Sequence, residues 1–235
     1  MKHKITLYSG IGLIGLMAIA IGFAKPFLIP LSEGSFRAPV SIYIHAILAF
    51  LWVLLFTMQS VFIQTKRYKT HIKWGLCGFF IALGTAFTII PVGLYAVEKE
   101  LNLGLGETAI SGIVGNVTTA IMFISLVIAA LVYRKKPDVH KRLMLLSTIV
   151  ILWPAWFRFR HYFPTVENPE IWFAVVLADS LILISWAWDK FTNGKIHPSL
   201  LYVGLAIILE HTMEVLFFDT QAWRTIAHKL YTFLT

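Results

Sequence analysis

Apolar residues along this chain come in long runs, and polar residues gather in short clusters between them. A helix needs roughly 17–25 apolar residues to cross a bilayer. Seven stretches qualify, at about 5–24, 41–64, 74–97, 108–133, 141–158, 170–188 and 198–218. Pro154, Arg158 and Asp179 interrupt the fifth and sixth. The pattern predicts an all-α fold, a polytopic transmembrane bundle of seven helices over residues 1–218. The tail, 219–235, reads as a short amphipathic helix along the outer membrane surface. Trp223, Ile226, Leu230 and Phe233 would share its apolar face, with Asp219 as its N-cap.

Composition sharpens this picture. The chain has 235 residues, of which 58% are hydrophobic and 14% charged, with a mean hydropathy of +0.76. A soluble domain carries about 25% charged residues, so an aqueous core is excluded and a lipid bilayer is expected around the helices. The net charge is +8. It does not point to nucleic acid, because the basic residues sit in the clusters between runs, where membrane topology explains them. Lys2 and Lys4 precede the first run, which reads as a retained signal anchor. Thirteen of the 20 lysines and arginines fall on the side of the N-terminus. That places the N-terminus in the cytoplasm and the chain, as a multi-pass protein, in the bacterial inner (cytoplasmic) membrane. A single cysteine, Cys77, excludes an internal disulfide or a CxxC site.

Ionisable residues inside spans are costly, so each is a candidate for function. Glu210, His211 and Glu214 form the densest cluster, on span 7. His211 and Glu214 share a helix face, as do Glu210 and Glu214. Three chemistries suit such a group: a metal site, since imidazole and carboxylate ligate zinc or iron; a proton relay; or ion pairs with Arg158, Arg160 or Arg37. Asp179 lies midway between Trp172 and Trp186 on span 6. His45, Trp52 and Gln59 recur at intervals of seven on span 2 and should face the bundle interior.

Depth sorts the histidines into two layers. His45 and His71 are separated by up to about 39 Å at helical rise, so they cannot share one ion. His45, His211 and His161 would lie toward the outer face, and His71 and His140 toward the inner. Asp138, after Pro137, would cap span 5, and Asn116 and Thr119 would hydrogen-bond between helices.

Two segments carry a resemblance. His45 to Gly75 reads HAILAFLWVLLFTMQSVFIQTKRYKTHIKWG, and His140 to Arg160 reads HKRLMLLSTIVILWPAWFRFR. Together they resemble the DUF2306-type family of uncharacterised bacterial membrane proteins, across spans 2, 3 and 5. The resemblance implies a multi-spanning fold and directs attention to His45, Gln59, His71, Gly75, His140, Arg142, Met144 and Arg158. It implies no settled activity. Ser41-x-x-x-His45 is similar to the span 2 motif of seven-span zinc hydrolases, but position 215 is Val where their His-x-x-x-His would need His. No lysine lies in span 7 for a retinal Schiff base, and GxxxxGK[ST], GxSxG and HExxH are absent.

Three functions compete. The first is a redox protein holding haem b or a transition metal near each face, with His45 and His211 (or His161) outside and His71 and His140 inside, serving a redox partner. The second is a zinc-dependent intramembrane hydrolase of a lipid-like small molecule, with His45, His211 and Glu214 as ligands. The third is a carrier, sensor or assembly factor with no catalysis. The first is favoured because bis-imidazole ligation needs only paired histidines on facing helices.

Overall fold

The computed structural model describes residues 6–235, and over these it is helical without strands. Lys2 and Lys4, counted above toward the topology, lie outside the described residues. The helices are α1 (Leu7–Gly22), α2 (Ile29–Ser32), α3 (Val40–Gln64), α4 (Tyr68–Asn102), α5 (Glu107–Val132), α6 (Pro137–Phe157), α7 (Ala178–Asn193), α8 (Pro198–Phe217) and α9 (Gln221–Leu234). Six helical stretches are long and apolar enough to span a membrane. A seventh is counted if α1 and the segment Ala24–Ser32, bent 50° from it, form one span. The chain is therefore an all-α polytopic bundle, as the hydrophobic runs predict.

α6 is the most buried of the long spans. Leu145, Leu146, Ile149 and Leu152 on it are fully enclosed, together with Trp52 of α3 and Phe123 of α5. The rings of Trp52 and Phe123 meet edge to face at 5.0 Å, the arrangement their quadrupoles favour. Outward faces carry large apolar side chains such as Phe80, Phe87 and Ile121, which suits a lipid surround. Between helices in lipid, close approach rather than hydrophobicity drives association. α1 uses glycine for this: a Cβ on Gly12 would lie 2.2 Å from Thr57 Oγ1, and one on Gly22 would lie 2.3 Å from the Ala155 carbonyl oxygen.

At one end, hereafter the lysine-rich end, Thr6 caps α1 in a reciprocal capping box with Ser9. Ser60 and Gln64 of α3 join that cluster. α4 runs to 35 residues, or about 52 Å at 1.5 Å per residue. It extends past the apolar run at both ends and takes His71 into its first turn.

Several local expectations are corrected. Asp138 is not the cap of α6. Lys136 holds that position with no side-chain bond, and Asp138 pairs with Lys141 at 2.6 Å. Asn116 bonds the Gly112 carbonyl of its own helix rather than a neighbour. Residues Glu170–Leu177 form a π-helix leading into α7. This breaks the spacing of seven, so that Asp179 is 4% exposed while Trp172 is 55% exposed.

The tail helix α9 docks on the bundle. Ala227 is fully buried against Val97, Ile110, Ile113 and Val114 of α4 and α5, with Trp223 and Leu230 beside it. Ile226 and Phe233, expected on the same face, point outward. The small Ala227, rather than the bulky residues, centres the docked face. Thr220 is the N-cap, and Asp219 sits just outside with a φ of 62°. Its carboxylate accepts from Thr108, Ser111 and Arg224. Hydrogen bonds from Arg224, aided by those from Ser111 and Thr108, hold the Asp219 carboxyl well below the usual carboxylate range against partial burial.

Candidate functional sites at the two ends of the bundle

The lysine-rich end holds both His71, in the first turn of α4, and His140, in the first turn of α6. The short turn after α5 folds α6 back antiparallel, which sets the first turn of α6 beside the last turns of α5. His140 Nδ1 lies 2.8 Å from the Ala130 carbonyl oxygen. A carbonyl only accepts, so Nδ1 carries the proton, and in the neutral ring Nε2 keeps its lone pair. His71 lies within electrostatic reach of His140, and its Nδ1 is buried without a partner. Gln59 reaches from α3 and donates through Nε2 to the His71 carbonyl at 3.2 Å. Gly75 follows one turn later, with a Cβ there 3.7 Å from the same Gln59 nitrogen.

Beside this pair lies an ion pair that the sequence does not reveal. Arg142, 4% exposed, donates from Nε and Nη2 to the two carboxylate oxygens of Asp189 at 2.9 and 2.5 Å. Asn193 and the His197 backbone also donate to Asp189. The group is thus fully bonded, which a buried pair requires. His197 begins α8 by accepting from the Ser199 backbone at Nδ1. Burial, then the charge of Arg142, holds its ring below the usual imidazole range, keeping that nitrogen an acceptor.

The far end separates residues that the sequence grouped. His45 Nδ1 lies 2.9 Å from Thr88 Oγ1 of α4. Thr88 spends its own proton on the Gly84 carbonyl at 2.7 Å, so it accepts from His45. His211, 3% exposed, donates from Nδ1 to Asp179 Oδ1 of α7 at 2.8 Å. α3 packs on α1, α4 and α6, while α8 packs on α6, α7 and the π-helix. His45 and His211 therefore bond within different helix pairs, α3 with α4 and α8 with α7. His161 is exposed, and its backbone carbonyl rather than its ring is engaged, by Lys25 at 3.0 Å.

The expected arginine pairing of the acids is also absent among the described residues. Arg158 donates to the Pro154 carbonyl at 2.8 Å and lies over the Phe23 ring at 4.3 Å. Arg160 donates to the Phe157 carbonyl and lies over that ring. The hydroxyl of Tyr95 meets the Arg37 backbone carbonyl. None of the three arginines reaches Glu210 or Glu214 with its guanidinium. Glu210 Oε2 lies 3.9 Å from His211 Nε2. Glu210 Oε2 and Asp179 Oδ2 are both buried without a partner. Trp153 of α6 lies beside the imidazole, its ring centre 6.1 Å away. Glu214 presses against Gly115 of α5, where a Cβ would lie 2.0 Å from its Oε1.

Among the described residues no three His, Cys, Asp or Glu side chains converge to hold a metal ion. A zinc site built on His45, His211 and Glu214 does not form. Compared with protein-family models, curated proteins and solved structures, the chain matches none.

Proposed function

We propose that the protein is a redox carrier of the bacterial cytoplasmic membrane that holds one b-type haem between His71 and His140, with the lysine-rich end facing the cytoplasm. The observation that carries this reading is the hydrogen bond from His140 to the Ala130 carbonyl. It fixes the tautomer, leaves Nε2 free to ligate, and raises the basicity of the ring, as partners of ligating imidazoles do. The buried, unpartnered ring nitrogen of His71 adds a second imidazole that lacks a role within the protein. Gln59 holds the backbone of His71 in place. Lysines and arginines of that end, including Lys73 and Arg134, offer countercharge for two propionates. A haem so held exchanges one electron reversibly with a redox partner. The protein's own part is to hold the His140 ring through Ala130 and the His71 backbone through Gln59.

The test is the visible spectrum of the protein purified after haem-sufficient expression, oxidised and then reduced with dithionite. A Soret band that sharpens on reduction is expected. It should be lost in His140→Ala and in His71→Ala and retained in His45→Ala. A colourless wild type overturns the reading.

A further inference from the structure

The cations around two turns of the lysine-rich end have no acid to meet. Lys66, Arg67 and Lys69 stand in and just after the turn from α3 to α4, and Arg134, Lys135 and Lys136 in the turn from α5 to α6. All six are exposed. α4 packs on both α3 and α5, and α5 packs on α6, so the two turns are neighbours on one face. Of the 12 acidic residues in the chain, only Asp138 and Asp189 fall at this end. These two are taken by Lys141 and Arg142. Among the described residues no carboxylate comes within ion-pair distance of the six. Orienting a chain in the membrane needs only an excess of such charges on one side. It does not need them gathered on neighbouring turns.

Lys66 adds a second observation. Its φ of 58° lies in the left-handed region, just past the end of α3, where glycine is the ordinary choice. The turn closes there through bonds from the Lys66 N–H to the Ile63 carbonyl and from the Arg67 N–H to the Phe62 carbonyl. A side chain on that backbone is strained, and glycine would close the same turn without strain. The turn itself therefore does not call for lysine. Beside the cations, Tyr68 and Tyr133 are exposed, rings of the kind that settle at headgroup level. Toward the middle of the bundle the exposed surface of α4 becomes apolar, with Ile72, Leu76 and Phe80. Cations at the end, aromatic rings beside them and apolar side chains beyond match a phospholipid from its phosphate to its acyl chains.

We propose that this face binds an anionic phospholipid of the adjoining leaflet, its headgroup met by Lys66, Arg67 and Lys69 from one turn and by Lys135 and Lys136 from the other. Clusters of this size beside a span attract anionic headgroups. The exposed Ile72 and Leu76 favour a lipid over an acidic protein, whose charged surface would gain nothing from them. The proposal does not depend on haem. Lys73 and Arg134, offered above as countercharge to propionates, stay unchanged in the variants below, so failure of one reading is distinguishable from failure of the other.

The experiment uses the full chain, delipidated in a neutral detergent, with phosphatidylglycerol and phosphatidylcholine of the same acyl chains as probes. Native mass spectrometry counts the bound lipid. Phosphatidylglycerol is expected to bind about tenfold more tightly or better, and to weaken as salt is raised. Lys66→Gln with Lys69→Gln, and Lys135→Gln with Lys136→Gln, should each weaken it by about fivefold per charge removed and leave phosphatidylcholine unchanged. Lys99→Gln with Lys229→Gln, at exposed positions of the far end, should change neither lipid. Lys66→Gly separates binding from folding: without lipid it should melt no lower than wild type, yet it should bind phosphatidylglycerol more weakly. Equal affinity for the two lipids would overturn the proposal, as would a phosphatidylglycerol affinity unchanged in both double variants and in Lys66→Gly. Displacement of the lipid by inorganic phosphate or by polyglutamate at equal charge would also overturn it, and would give the surface to a free anion or to an acidic protein.

Discussion

Arg142 and Asp189 meet as a two-pronged ion pair, each about 4% exposed, and join α6 to α7 at the lysine-rich end. Removing one member of such a pair leaves the other charge buried and uncompensated, at a cost of about 3–5 kcal/mol. Arg142→Ala should therefore lower the thermal midpoint in detergent sharply. Replacing both, as Arg142→Met with Asp189→Leu, should restore much of the loss. A double variant less stable than Arg142→Ala would show that the bonds to Asn193 and the His197 backbone matter more than the charge.

Gly22 is a second point of fixed geometry. A methyl group there would strike the Ala155 carbonyl oxygen at 2.3 Å, and backbone cannot step aside as a side chain can. Gly22→Ala should destabilise the bundle by about 1–3 kcal/mol, the usual range for overpacking. Gly112→Ala, with nothing within 4 Å of the new atom, should be close to neutral. Melting curves of the two variants against wild type decide the matter.

The clamp on Asp219 predicts how α9 responds to acid. The folded carboxyl is held below its unfolded value, chiefly by Arg224. Its contribution is then full above the unfolded value of about 3.9 and is lost as pH falls through the lower folded value. α9 should stay docked from pH 8 down to about pH 4 and loosen only in stronger acid. Hydrogen exchange over residues 221–234 reads this directly. Asp219→Ala should expose the same amides already at neutral pH.

His45 offers a check on the separation of the far-end histidines. It is bonded to Thr88 on α4, so His45→Ala should leave the environment of His211 untouched. The variants His45→Ala and His211→Ala should have additive effects on stability within about 0.5 kcal/mol. A coupling above about 1 kcal/mol would mean that the two rings share a site after all.

The helices were legible because each is written locally: a run of apolar residues of spanning length shows itself without reference to any partner. The stripe of His45, Trp52 and Gln59 was legible for the same reason, and all three residues turn toward neighbouring helices. Partnerships were not. Arg142 finds Asp189 across 47 positions, and Asp179 finds His211 across 32. Which helix lies beside which decides those matches, and no spacing in the chain encodes it. The π-helix ahead of α7 hid for a related reason, since its residues are as apolar as any α-helical span. Asp219 looked like a cap because acids often are; its positive φ and its three donors from α5 and α9 belong to a clasp.

That π-helical stretch, Glu170–Leu177, works as a phase shifter. A regular helix advances about 100° per residue, and a π turn absorbs one residue more per closed ring. The wider turn lets Trp172 look outward while Asp179, seven residues on, looks inward. Deleting a single residue here would rotate everything before the stretch by about 100° against everything after it. The bundle would then have to bury a tryptophan where it now shows one, or turn a carboxylate out toward lipid. One surplus residue thus lets a single span serve two surroundings.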